Sequence, residues 1–143
     1  MSPDTAVLAE KVAAVERHLR RVVELLPARP EDLRPMTLES DAVILHLWQA
    51  VQIVIDLAVS TCVKSGFGSP QSYGEAFRKL ASAGIIEAGL AERLVRAAGF
   101  RNVVAHAYED LDMARVHRSA TQGPADLRAY VAAMAMLEAG KKR

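Results

Sequence analysis

Residues 42–63 read AVILHLWQAVQIVIDLAVSTCV. The run is apolar, but His46, Gln49, Gln52, Asp56 and Ser60 interrupt it at intervals of three and four. At about 100° per residue these five fall on one side of a helix. No other segment comes as near to a membrane span. An ionisable residue inside a bilayer is costly, however, and no second span is in sight to shelter it. The segment therefore reads as a buried helix of a soluble protein with one polar stripe, and no membrane partner is expected. A helix apolar around so much of its circumference offers more surface than a small bundle covers. A homodimer or higher oligomer is expected, joined through this segment and residues 87–108.

Working outward, Thr37-Leu38-Glu39 opens this helix, which runs to about Lys64. Pro27, Pro30 and Pro35 make residues 27–36 a stiff linker. Before it, Ser2 caps and Pro3 starts a first helix, with Leu8, Val12, Val15, Leu19, Val22 and Leu26 as its apolar stripe. After it come a loop at Gly66–Pro70 and a capping-box pattern at Ser72 and Glu75, opening a short helix that ends near Gly84. A fourth helix spans roughly 87–107. Asp110 or Asp112 caps a fifth, and Gly123-Pro124 opens a sixth running to about Glu138, with a frayed basic tail at 140–143. No alternating strand or repeat interrupts the pattern. The fold class is all-α: an antiparallel bundle of five or six helices in a single domain, residues 1–143.

Eighteen Lys and Arg against 17 Asp and Glu leave a formal charge of +1. That balance argues against a protein gripping a long duplex through its phosphates. Any contact with nucleic acid has to be local, and Arg93, Arg96, Arg101, Arg115 and Arg118 are candidates for such a patch. Cys62 is the lone cysteine, so no intrachain disulfide can form. With no basic and apolar leader at Met1–Asp4, a cytoplasmic location is expected. Neither HExxH nor paired CxxC is present, and no metal or cofactor is expected.

The chemistry concentrates in GFRNVVAHAY, residues 99–108. RNA carries its own nucleophile in the 2′-hydroxyl. A metal-free ribonuclease then needs a proton-transfer group active near neutrality and a fixed cation for the phosphorane. His106 supplies the first and Arg101 the second. Asn102 lies one turn before His106, able to hold its imidazole or donate to a phosphate oxygen. Asp56 is a candidate to orient Arg101 across the bundle. Arg101 and Tyr108 are seven apart, nearly in line on a helix. Arg101 and His106 are about 140° apart around it, so a symmetric pair of chains gathers them better than one chain. The plain alternatives are a helix-end cap with a surface charge for the Arg–His pair, and a packed tyrosine at 108. The rest of the 42–63 stripe reads as a satisfied polar seam, Trp48 as core or interface, and His18 and His117 as surface residues.

Arg101, His106 and Tyr108 stand in the spacing Arg-x4-His-x-Tyr, and the surroundings extend the pattern. Tyr73-Gly74-Glu75-Ala76-Phe77, Leu80, Ala83-Gly84-Ile85-Ile86, Ala91-Glu92-Arg93-Leu94 and Ala97–Asn102 belong to it, as do Gln49, Gln52 and Ile55-Asp56. Over roughly residues 40–118 the chain resembles the HepT branch of the HEPN superfamily; Ala107, where that branch often has a larger or charged residue, leaves the motif intact. The resemblance implies a HEPN-type bundle and the toxin of a toxin–antitoxin system. It implies a metal-independent endoribonuclease with Arg101 and His106 catalytic, Asn102 and Asp56 supporting, and 2′,3′-cyclic phosphate ends on the product. It further implies that Tyr108 accepts AMP from an MntA-like nucleotidyltransferase antitoxin. The added phosphate is expected to pair with Arg101. The alternative is a non-catalytic helical accessory or nucleotide-binding subunit of a nucleotidyltransferase.

Overall fold

A computed structural model describes residues 3–141. Five helices follow in order: α1 Pro3–Leu25, α2 Leu38–Lys64, α3 Tyr73–Ser82, α4 Ala88–Ala107 and α5 Met113–Lys141. Single 3₁₀ turns sit at Pro30–Asp32 in the linker and at Tyr108–Asp110 between α4 and α5. No strand occurs among the described residues, and the fold is the all-α bundle that the periodicity predicts.

The apolar run is the hub. α2 touches each of the other four helices, and Leu47, Val51, Val54, Ile55 and Ala58 are buried along it. By length and composition α2 is apolar enough to cross a membrane; here its apolar sides are shared among four neighbours. Leu19 and Val22 of α1, Phe77 of α3, Leu94 of α4 and Leu127 and Tyr130 of α5 close the core around it. Phe77 meets the Tyr130 ring edge-on, with centroids 5.9 Å apart, the arrangement that ring quadrupoles favour.

Local chemistry sets the boundaries. Thr37 accepts from the Ser40 amide at 3.1 Å while the Ser40 hydroxyl accepts from the Thr37 amide at 3.1 Å, a reciprocal box that starts α2. Ser72 caps α3 through the Glu75 amide at 3.0 Å, but the Glu75 carboxylate reaches the Gln71 amide instead of closing the box. Gly84, at φ +76°, ends α3, and the next amide, Ile85, bonds back to Leu80. Such a left-handed C-terminal stop favours glycine.

One boundary differs from expectation. Asp112 caps α5 by accepting from the Ala114 amide at 2.9 Å, yet the helix then runs unbroken through Pro124 to Lys141. The expected fifth and sixth helices are one. Ala120, Pro124, Leu127 and Tyr130 are all buried along it, and this continuous packed face outweighs the one backbone hydrogen bond that the ring removes. Gly140 and Lys141 continue the helix, whereas Ser2, expected as a cap, and Lys142–Arg143 of the expected frayed tail lie outside the described residues.

Candidate active site

α4 carries Arg101 and His106, and α2 supplies what holds the first of them. Arg101 Nε donates to Gln52 Oε1 at 2.7 Å, and Gln52 Nε2 donates in turn to Asp56 Oδ1 at 2.9 Å. The guanidinium carbon lies 5.6 Å from the ring centres of both Trp48 and Tyr73. Aromatic faces attract a cation at this range. Asp56 thus acts on Arg101 through Gln52, at one remove.

Asn102 Oδ1 accepts from Arg101 Nη1 at 3.1 Å. Its carbonyl is turned toward the arginine rather than the imidazole, and its amide nitrogen stays available to an anion. His106 is exposed near the end of α4. α4 is helical through both residues, so the helical offset between Arg101 and His106 is retained.

Tyr108 is not in line with Arg101. Ala107, at φ −143° and ψ 42°, breaks the helix, and Tyr108 opens the 3₁₀ turn. Its hydroxyl donates to Asp41 Oδ1 at 2.5 Å. Burial, then the hydrogen bond and negative charge of Asp41, push its pKa up to about 12. Asp41 and Gln52 are eleven residues apart on α2, about 16 Å of helical rise. A phosphate on Tyr108 therefore starts far from Arg101, and the expected direct pairing is not favoured within one chain.

Two other histidines depart from the sequence reading. His18 and His46 meet between α1 and α2, with Nδ1 atoms 3.0 Å apart. His117 is buried and bonds the Pro27 carbonyl at 2.8 Å, fastening α5 to the linker. Both looked like surface residues because the packing of α1 and the linker on their neighbours is a tertiary fact.

The family model for ribonuclease HepT-like proteins matches residues 15–134. The chain belongs to the ribonuclease HepT-like family. Among its relatives, the mRNA nuclease HepT of Shewanella oneidensis strain MR-1 is 28% identical over 107 residues, spanning 75% of this chain and 80% of that one. A candidate RNase of Archaeoglobus fulgidus is 32% identical over 113 residues, 79% of this chain and 80% of its own. Two solved structures share the fold. One is the tri-AMPylated HEPN toxin of S. oneidensis in complex with its MNT antitoxin: TM-score 0.83, 24% identity, 95% of this chain and 99% of that one. The other is a toxin–antitoxin structure with AMP-PNP: TM-score 0.83, 23% identity, 92% and 98% covered.

Within this HepT-like chain, the sequence singled out Arg101, His106, Tyr108, Asn102 and Asp56 as candidates but gave no role to Gln52, Tyr73 or Asp41. Gln52 had a usable signal, since it stands one turn before Asp56 in the polar stripe. Asp41 had none, because a carboxylate in a helix's first turn is explained by the dipole alone.

Proposed function

We propose that this chain is the endoribonuclease toxin of a toxin–antitoxin pair, cutting RNA without a metal. The observation that carries the reading is the Arg101 guanidinium, held by Gln52 and two aromatic rings on the helix that also presents an exposed His106. His106 takes the proton of a 2′-hydroxyl, the freed oxygen forms a bond to phosphorus, and the bond from phosphorus to the 5′-oxygen breaks. The departing oxygen takes up a proton, leaving a 2′,3′-cyclic phosphate and a 5′-hydroxyl. Arg101, with Asn102 beside it, faces the charge that builds on the phosphorane.

Arg101 and His106 diverge around α4, so a second copy completes the cleft. In support, Leu38, Leu45 and Val63 are exposed large apolar residues. They stand seven and eighteen residues apart, which puts them on one side of α2. Control falls to a partner nucleotidyltransferase that joins AMP to the Tyr108 oxygen. The long separation from Arg101 favours the adenosine blocking the cleft over the phosphate neutralising the guanidinium.

The test is cleavage of a labelled RNA by purified protein with and without EDTA, followed by analysis of the product ends. Activity that survives chelation, leaves cyclic phosphate and falls by ~10²–10⁴-fold in His106→Ala supports the reading. Loss on chelation, or an active His106→Ala variant, overturns it.

A further inference from the structure

The arginines that flank the motif do not gather around Arg101. Four of them line a separate groove between α4 and α5, with a cavity of about 330 Å³. The two helices run antiparallel, and the bond from Arg93 Nε to Asp126 Oδ1, 2.8 Å, fixes their register and closes one end. Phe100 and Val116 form an apolar floor. Asp110 and Asp112 stand at the other end, on and beside the turn that begins with Tyr108.

Arg96, Arg115 and Arg118 differ from Arg93. All three are exposed, and none has a carboxylate within ion-pair distance among the described residues. Arg115 and Arg118 are one turn apart on α5, so their forks project side by side. Arg96 lines the opposite wall, on α4. The aspartates sit at the ends, and the three arginines lie between them, Arg96 also feeling the charge of Glu92 one turn before it on α4.

We propose that this groove is a second RNA subsite, holding a nucleotide of single-stranded RNA beyond the scissile phosphate. It rests on the ribonuclease reading for its biological role, though not for its chemistry. Planar guanidinium forks match phosphate oxygens, and an apolar floor flanked by Ser119 and Gln122 suits a base with polar edges. A concave groove of about 330 Å³ fits a nucleotide better than the flat surface of a protein partner. Its mouth adjoins the end of α4, where His106 lies one turn beyond the groove residue Val103. A strand leaving the cleavage site can therefore turn around the end of α4 into it. A chain with a charge of only +1 can still grip RNA locally, because three arginines outside any ion pair among the described residues share this groove.

The test uses the full chain carrying His106→Ala, which binds without cutting. The probes are a labelled single-stranded RNA of about ten nucleotides, AMP and inorganic phosphate. Arg115→Gln with Arg118→Gln is expected to weaken RNA binding by about 10-fold or more and to flatten the salt dependence by about 1.4 log units per log unit of salt. Arg96→Gln is expected to weaken it by a smaller factor in the same direction. Both arginines of the double variant are exposed, and an unchanged circular dichroism melt verifies folding. Unchanged affinity and salt slope overturn the proposal. So does a variant that loses saturable AMP or phosphate binding while RNA affinity holds, which makes the groove a small-nucleotide site. A variant that loses only its hold on the co-expressed antitoxin overturns it too, as a protein-docking surface. If wild-type protein cuts no RNA but the double variant still loses RNA binding, the nuclease reading fails and the groove stands.

Discussion

Arg101 reaches across the bundle to Gln52, a residue 49 positions away in sequence, through a 2.7 Å hydrogen bond from its Nε. Gln52 is itself oriented by Asp56. The arginine is therefore held from behind, leaving its outer edge for a phosphate. Hydrogen bonds to charged groups are worth about 1.5–3 kcal/mol. Gln52→Leu should consequently lower turnover by roughly 10- to 100-fold with little change in melting temperature, and Asp56→Asn should give a smaller loss. Single-turnover cleavage by the two variants measures this directly; wild-type rates in Gln52→Leu would show that Arg101 needs no such hold.

Pro124 sits inside α5 and is buried. Replacing it by alanine restores an amide that can donate to the Ala120 carbonyl. The helix-interior cost of proline is about 3 kcal/mol. Against this, two buried methylenes are lost at about 0.8 kcal/mol each, with a further small term for the space left behind. Pro124→Ala should therefore stabilise the protein by about 1 kcal/mol in urea titration. A clear destabilisation would mean that the ring's packing, and not continuity of the helix, dominates at this site.

These two sites show what could be read from the sequence and what could not. The periodicity of α1 and α2, the caps at Thr37 and Ser72 and the stop at Gly84 are local, so their spacing announces them. Pro124 misled because its local rule is a helix start, and the rule was overridden by burial against other helices. The Asp56–Gln52–Arg101 relay was half visible: the stripe placed Gln52 and Asp56 on one face, but only packing shows that this face meets α4. Tyr108 kept its place in the motif while losing its expected alignment, because the break at Ala107 depends on backbone angles that the spacing does not encode.

The His18–His46 contact predicts acid sensitivity. Nδ1 atoms 3.0 Å apart leave room for one proton between them, so charging both rings sets two donors head to head. Burial first, then the positive charge of His46 and Arg17, holds the His18 pKa below the usual histidine value. Unfolded His18 takes up its proton near pH ~6.5 while the folded residue resists. The stability this contributes is complete above that pH and is lost as pH falls through the depressed folded pKa. Comparing urea midpoints at about pH 7.5 and 5.5, wild type should lose more stability on acidification than His18→Gln. Equal losses would remove the pair as a source of the pH dependence.

The Tyr108–Asp41 bond makes the last prediction, at the other end of the pH scale. The phenol's pKa is pushed up to about 12, above the ordinary value near 10, by burial and by Asp41. Its protonated form is the one the fold favours, so the associated stability is present below pH ~10 and disappears as pH rises toward the folded value. Asp41→Asn removes the negative charge but keeps a group able to accept, and should shift the Tyr108 ionisation downward in an alkaline ultraviolet titration. An unmoved transition would leave burial as the whole cause. The same bond bears on the proposed control, because AMP transfer to Tyr108 would require the phenolic oxygen to shed its proton as it attacks the α-phosphorus of ATP and releases pyrophosphate. Asp41 is placed to receive that proton. Asp41→Asn should therefore slow modification by a partner transferase, and Tyr108→Phe should abolish it while leaving RNA cleavage largely intact. Intact-mass spectrometry after co-expression reads both effects. A full AMP adduct on Tyr108→Phe would move the acceptor elsewhere, and an unslowed Asp41→Asn would mean that the transferase brings its own base.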